Sequence, residues 1–234
     1  MTENGKTSWC DRIFTPWTPK HQEHPSFCSP YSVEMQKTTH WHEPYFWNNL
    51  SRANNQRLRV SCSATDTCDV FDEHVNPDPN WRAELWSLIE NTPHLDWLLL
   101  TAHPQNVCKM VPTSWLENGF PPQIWMGATA KNQEEAQRNV PALAVLPTRI
   151  RFLSCEPLLG PLDLRNISGV NAFSHIHWVI TDRENPSNLD QPDLEWIRKL
   201  RDDCNLFQSK FLFKHSNSSK AFPLLDGQEH HTHP

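Results

Sequence analysis

Residues 149–157 read R-I-R-F-L-S-C-E-P, an apolar run closed by a carboxylate and a proline. The run has the length and composition of a β-strand, and five relatives of it are spread along the chain. They are LRVSCS (58–63), DWLLLT (96–101), IWMGATA (124–130), HWVITD (177–182) and KFLFKH (210–215). Several are continuously apolar rather than alternating, the pattern of strands buried on both faces. Helical spacing fills the gaps between them. WRAELWSLIENT (81–92) places Trp81, Leu85, Leu88 and Ile89 on one stripe, and a shorter helical stretch follows at 104–111. NQEEAQRNVPAL (132–143) carries acids in its first turn, where the helix dipole favours them, and PDLEWIRKLRDDC (192–204) opens on proline. Strand–helix alternation predicts an α/β fold with a parallel sheet of right-handed βα units. Such a sheet stays open and doubly wound or curls into a partial barrel, and in both cases the site lies at the carboxyl ends of the strands. Residues 1–57 show no clean period and are expected to be an irregular segment packed on a 58–234 barrel domain.

Composition narrows the function classes. The chain has 234 residues, 27 acidic and 21 basic, with 13 histidines and a net charge of −6. That balance argues against general nucleic-acid binding. No run of about 18 apolar residues exists to span a membrane. The start lacks the basic-then-apolar pattern of a secretory signal, so a cytoplasmic location is expected. There are 6 glycines, where average usage of about 7% would give roughly 16. Neither G-x-x-x-x-G-K-[ST] nor G-x-G-x-x-G occurs, which weakens phosphate-loop and dinucleotide readings. Seven widely spaced cysteines (Cys10, Cys28, Cys62, Cys68, Cys108, Cys155 and Cys204) form no C-x-x-C and read as free thiols rather than a disulfide framework. The pairs His40/His42 and His175/His177, and the tail His230, His231 and His233, have no third ligand close in sequence, so no metal site is assigned to them.

The strand ends supply the candidate site. They deliver Thr101 and His103, then Thr129 and Asn132, then Glu156, then Asp182 with Arg183 and Glu184, and finally Lys214. Glu156 follows an apolar strand directly and precedes Pro157, so its carboxylate projects at the strand mouth. Lys214 ends an apolar strand and is placed to hold an anionic group, or to snorkel. Glu156, Glu184 and Lys214 are the candidate catalytic residues, and Thr101, His103, Thr129 and Asn132 the candidate ligand-binding ones. A small-molecule or nucleotide-like ligand is the expected partner.

A set of motifs in fixed order extends the reading. W-C-D-x-x-F-x-P-W (9–17), D-V-F-D (69–72), D-W-L-L-L-T-x-x-P-Q-N (96–106), G-x-T-x-x-N-Q-E-E-A (127–136) and R-F-L-S-C-E-P-L-L-G-P-L-D-L (151–164) are followed by W-V-I (178–180), F-x-F-K (211–214) and L-L-D-G (224–227). Together they resemble a phage and prophage family of unknown function, three-cysteine-motif proteins held to be divergent radical-SAM enzymes. The resemblance covers essentially the whole chain and implies a partial (β/α)6 TIM-like barrel. It also implies a [4Fe–4S] cluster on three thiolates, with one iron open to S-adenosylmethionine.

This sequence departs from that pattern at the cluster. Anchored on Pro25 and Tyr31, the three cysteine positions fall at Lys20, Phe27 and Pro30, and only Cys28 lies nearby, out of register. The family's T-K-R-P reads Thr101, Ala102, His103, Pro104; its G-G-E-S reads Asp182, Arg183, Glu184, Asn185. The expectation is a member without the usual cluster or cofactor, non-catalytic or repurposed. The alternatives are an enzyme with an unusual cluster site drawn from Cys10, Cys28 and Cys62, and a cluster-free enzyme. In the latter, Glu156 or Glu184 is the general base and Lys214 orients an anionic substrate.

Overall fold

The structure is a computed structural model and describes residues 9–20, 33–62, 69–169, 171–182, 193–214 and 222–234. It has an α/β fold, divided into two compact units, Met1–Trp125 and Met126–Pro234.

The first unit begins with strands β1 (Arg12–Phe14), β2 (Trp17–Pro19) and β3 (Val33–Lys37), then helix α1 (Glu43–Asn54). Strand β4 (Leu58–Cys62), the two-residue β5 (Val75–Asn76), helix α2 (Pro79–Glu90) and strand β6 (Leu95–Thr101) follow. Two short helices, α3 (Val107–Met110) and α4 (Thr113–Asn118), lead to β7 (Ile124–Thr129), inside which the division between units falls. Strands β1, β4 and β6 are parallel neighbours, with Phe14 level with Cys62 and Cys62 with Leu99. A smaller sheet joins β2 antiparallel to β3 and β3 parallel to β5.

The expected strands and helices from residue 58 onward are present, with ends displaced by a residue or two. The expectation of an irregular segment over 1–57 is corrected: it contributes β1 to the parallel sheet and contains α1. Helix α1 buries Pro44, Trp47 and Ser51 on one stripe, but the stripe ends on a serine while Tyr45 and Phe46 face solvent, so the apolar pattern of the sequence does not mark it. Helix α2 starts where its chemistry says it should. Pro79 occupies the first turn and the Asp78 carboxylate accepts the Asn80 N–H at 2.9 Å.

The second unit contains the rest of β7, α5 (Gln133–Ala144), β8 (Ile150–Cys155), β9 (Trp178–Asp182), α6 (Leu194–Leu206) and β10 (Lys210–Lys214). Strand order here is β7-β8-β9-β10, with β8, β9 and β10 parallel. Strand β10 does not present a bare edge. Tail residues pair along it antiparallel: Phe213 N–H donates to the His230 carbonyl at 2.8 Å, and Phe211 N–H to Thr232 Oγ1 at 2.9 Å. The tail is turned back at Asp226-Gly227, both at positive φ (55° and 79°), the pair that a tight two-residue reversal prefers. Arg198 and Arg201 of α6 bind the Asp226 carboxylate and tie this turn to the helix.

Candidate functional site

Register decides what gathers at the strand ends of the second unit. Cys155 is level with Thr181 and Phe213 with Thr181, and Asp182 is level with Lys214. Side chains alternate along a strand, so Phe152, Ser154 and Glu156 share a face with Trp178, Ile180 and Asp182, and with Leu212 and Lys214. Cys155, Thr181 and Phe213 point the other way, where α6 packs on β9 and β10 and its Cys204 lies within electrostatic reach of Cys155. The face away from α6 therefore has an apolar floor, with the Phe152 and Trp178 rings 5.8 Å apart, and a polar mouth. Ser154, Asp182 and Lys214 are all buried there.

At this mouth Lys214 Nζ lies 3.3 Å from Glu156 Oε1, with 9% and 17% of the two side chains exposed. The contact is an ion pair, and Glu156 Oε1 is fully shielded from water. Burial pushes the Glu156 carboxyl up to about 7; the charge of Asp182 adds to this, while Lys214 and the Ser154 hydroxyl oppose it. A carboxyl poised there exchanges a proton near neutrality, which suits acid–base work as well as reversible ion pairing. The Glu156–Pro157 peptide is cis. On the opposite face, burial raises the thiols of Cys155 and Cys204, which keeps both protonated and inert.

The other candidates divide between structural duty and places outside the described residues. Asn132 caps α5: its Oδ1 accepts the Glu135 N–H at 2.9 Å, while Glu135 Oε2 accepts the Lys131 N–H at 2.6 Å. The Thr129 carbonyl accepts Asn139 Nδ2 at 2.9 Å, locking α5 to the end of β7. In the first unit the Thr101 hydroxyl donates to Asp69 Oδ2 at 2.8 Å, and the same oxygen accepts the Ala102 N–H at 2.8 Å. Asp69 Oδ1 takes the Phe71 N–H at 3.0 Å, so one carboxylate organises the D-V-F-D loop around the end of β6. Burial raises the pKa of Asp69 against these hydrogen bonds. His103 opens the short turn at Pro104–Asn106 through its backbone, its N–H donating to Thr101 Oγ1 at 2.9 Å. Glu184 lies outside the described residues, as do Cys28, Cys68 and Arg183.

Asp182 and Asp69 are the functional-looking residues that sequence reasoning undervalued. Asp182 is visible in the sequence as a strand-end residue and as a replacement for a glycine, but not as a partner of Lys214. Its in-register place beside Lys214 carries the signal, and register is invisible until strand order is known.

The residues present do not fit the cluster that the resemblance implies. Lys20, at the first thiolate position, is exposed just after β2, and an ammonium offers iron no lone pair. Cys10 lies level with Leu58, because Arg12 pairs with Val60, and so stands four residues from Cys62 along the strands. At ~3.3 Å per residue that is ~13 Å between the two backbone positions, too far for both thiolates to meet on one metal ion. Among the described residues no three His, Cys, Asp or Glu side chains gather to hold a metal ion. The histidine pairs have other occupations: His177 Nδ1 accepts the Arg151 N–H at 3.1 Å, and His40 Nδ1 meets Glu43 Oε1 at 3.0 Å. The tail rings of His231 and His233 pack on Phe222 and Trp178. No helix among the described residues is long and apolar enough to cross a membrane.

The profile of the protein family described as "Protein of unknown function (DUF5131)" matches residues 5–232, and the chain belongs to that family. No curated protein and no solved structure matches it.

Proposed function

We propose that this chain is a radical-SAM-like partial α/β barrel protein that has been repurposed. It does not assemble the usual [4Fe–4S] cluster, and it binds a small polar ligand at the carboxyl ends of β8, β9 and β10. The observation that carries this reading is the Glu156–Lys214 ion pair, with Asp182 in register beside it on a buried face. Burying charged groups is costly, and surface needs no such arrangement; a ligand site does. In the barrel that the resemblance implies, this face is the inner one, and the strand mouth is where ligands of such folds bind.

The cluster-free part rests on donor chemistry: Lys20, Phe27 and Pro30 stand where thiolates are required. Anaerobic reconstitution with ferrous iron and sulfide tests it, read by absorbance in the thiolate-to-iron charge-transfer region and by iron per chain. Protein-bound iron well below stoichiometric is expected, and a stoichiometric cluster overturns the reading.

A second reading is favoured by the proton affinity of Glu156. A carboxyl that titrates near 7 is matched to general acid–base catalysis at neutral pH, so the same site supports a cluster-free enzyme with Glu156 as the proton-transfer group. Lys214 is less free to orient an anionic substrate than its sequence position implies, because it faces Glu156.

A further inference from the structure

We propose that the groove between α2 and the segment joining α3 to α4 binds a small molecule with an apolar body and a single carboxylate, held by the Arg82 guanidinium. This site lies wholly within the first unit and does not depend on the Glu156–Lys214 mouth.

The groove is an open depression of about 510 Å³, within the roughly 300–1,000 Å³ range of small-molecule sites. Helical spacing builds one wall, because Arg82, Trp86 and Glu90 recur every four residues along α2, with Ala83 beside them. Met110, Val111 and Pro112 form the other. The two walls are pinned together. Trp86 Nε1 donates to the Met110 carbonyl at 2.8 Å, and Trp115 Nε1 to Glu90 Oε1 at 2.6 Å. Phe71 stacks on Trp86 at 5.7 Å and Trp115 meets it edge-on at 5.3 Å, so the groove is formed before any ligand arrives. Trp86 closes its bottom, while Ala83 is exposed and Met110 and Pro112 are half-buried, leaving carbon surface within reach.

The guanidinium supplies the recognition. Arg82 is half-buried, and among the described residues its one hydrogen bond runs from Nε to the Val70 carbonyl at 3.3 Å. Burial lowers its proton affinity, and no carboxylate opposes that effect. Other arginines are occupied: Arg198 and Arg201 pair with Asp226, and Arg151 spends Nε and Nη2 on the Leu143 and Leu146 carbonyls. The charges nearest Arg82 in sequence and in the groove wall are also taken, Glu84 by Lys37 and Lys109 by Glu73. Arg82 therefore keeps both Nη groups for the two oxygens of a carboxylate, the fork geometry that makes such pairs strong.

Charge counting selects one negative charge. Arg82 is the single cation among the described residues that line the groove, and Glu90 lies ~12 Å farther along the helix. A dianion would leave one charge unbalanced and facing Glu90. A monocarboxylate neutralises Arg82, and its apolar body covers Ala83, Met110 and Pro112 between the two charged residues.

The test is isothermal titration of the full chain with sodium 4-phenylbutyrate, 4-phenylbutylammonium chloride, sodium acetate and inorganic phosphate. Saturable one-to-one binding is expected for phenylbutyrate. The other three are expected to bind at least about tenfold more weakly, the amine for its charge, acetate and phosphate for want of an apolar body. Arg82→Gln, checked for native circular dichroism, is expected to weaken phenylbutyrate about tenfold or more, and Arg82→Lys less, since it keeps the charge without the fork. Ala83→Trp, at an exposed helix position, fills the groove with Arg82 intact and is expected to abolish binding. Comparable binding of the amine, acetate or phosphate would overturn the inference. So would undiminished affinity in Arg82→Gln or Ala83→Trp, or no saturable binding of phenylbutyrate. Each of these outcomes leaves iron reconstitution and the Glu156–Lys214 mouth to their own tests.

Discussion

Lys214 Nζ reaches Glu156 Oε1 at 3.3 Å although their strands are not neighbours: β9 runs between β8 and β10, and Asp182 sits level with Lys214 on that intervening strand. Two strand spacings are ~9.6 Å, so the long lysine and glutamate side chains close over the aspartate. The mouth is thus roofed by its own ion pair.

The proton affinity of Glu156 gives a pH signature. Its carboxyl titrates near 4.5 in the unfolded chain and at about 7 in the folded one. Between those values the folded state binds more protons, so this group's contribution is fully favourable below about 4.5 and falls as pH rises to about 7. Glu156→Gln imitates the protonated form at every pH. Urea denaturation of both proteins is expected to show the variant gaining on the parent by roughly 2–3 kcal/mol between about pH 5 and pH 8. A stability difference independent of pH would show that Glu156 is not held in this environment.

Removing the cation acts in the opposite sense. Lys214→Met leaves the Glu156 and Asp182 carboxylates on one buried face without the described counter-charge. The expected cost is about 3–5 kcal/mol at about pH 8, and less at about pH 5, where Glu156 protonates and relieves the repulsion. Equal losses at both pH values would mean that Lys214 contributes by packing alone.

These predictions rest on relationships that the sequence exposes unevenly. Strands β4, β6, β7, β8, β9 and β10 are legible because segments of five to seven residues dominated by apolar side chains have few other uses. Strand β1 escapes notice with three residues, and α1 because Tyr45 and Phe46 turn outward. Glu156 and Lys214 are legible as strand-end residues, since each directly follows or closes an apolar run. Their pairing is not, because it depends on which strands end side by side 58 residues apart in sequence. Thr101 shows the converse: a promising strand-end hydroxyl is taken by Asp69, 32 residues earlier.

The Asp69 arrangement carries its own test. Asp69→Ala strands the Thr101 hydroxyl and the N–H groups of Phe71 and Ala102, with a cost of roughly 2–4 kcal/mol. Asp69→Asn keeps one acceptor and is expected to lose less than half as much. Urea midpoints of the two variants decide it, and equal losses would place the effect in charge rather than in hydrogen bonding.

Gly127 tests how tightly the apolar floor beneath the site is set. A Cβ at Gly127 would overlap the ring of Phe152, which is itself held against Trp178 at 5.8 Å. Only a residue without a side chain lets β7 lie against that ring. Gly127→Ala is therefore expected to cost about 1–3 kcal/mol through overpacking. Phe152→Leu alone costs a comparable amount by leaving a void. Together the two changes relieve each other, because the shorter leucine vacates the space that the new methyl needs. The double variant is expected to be more stable than the sum of the single losses by roughly 1 kcal/mol or more. Urea denaturation of all four proteins measures this coupling. Strict additivity would show that the Phe152 ring moves freely, and that the apolar floor beneath the Glu156–Lys214 pair is soft.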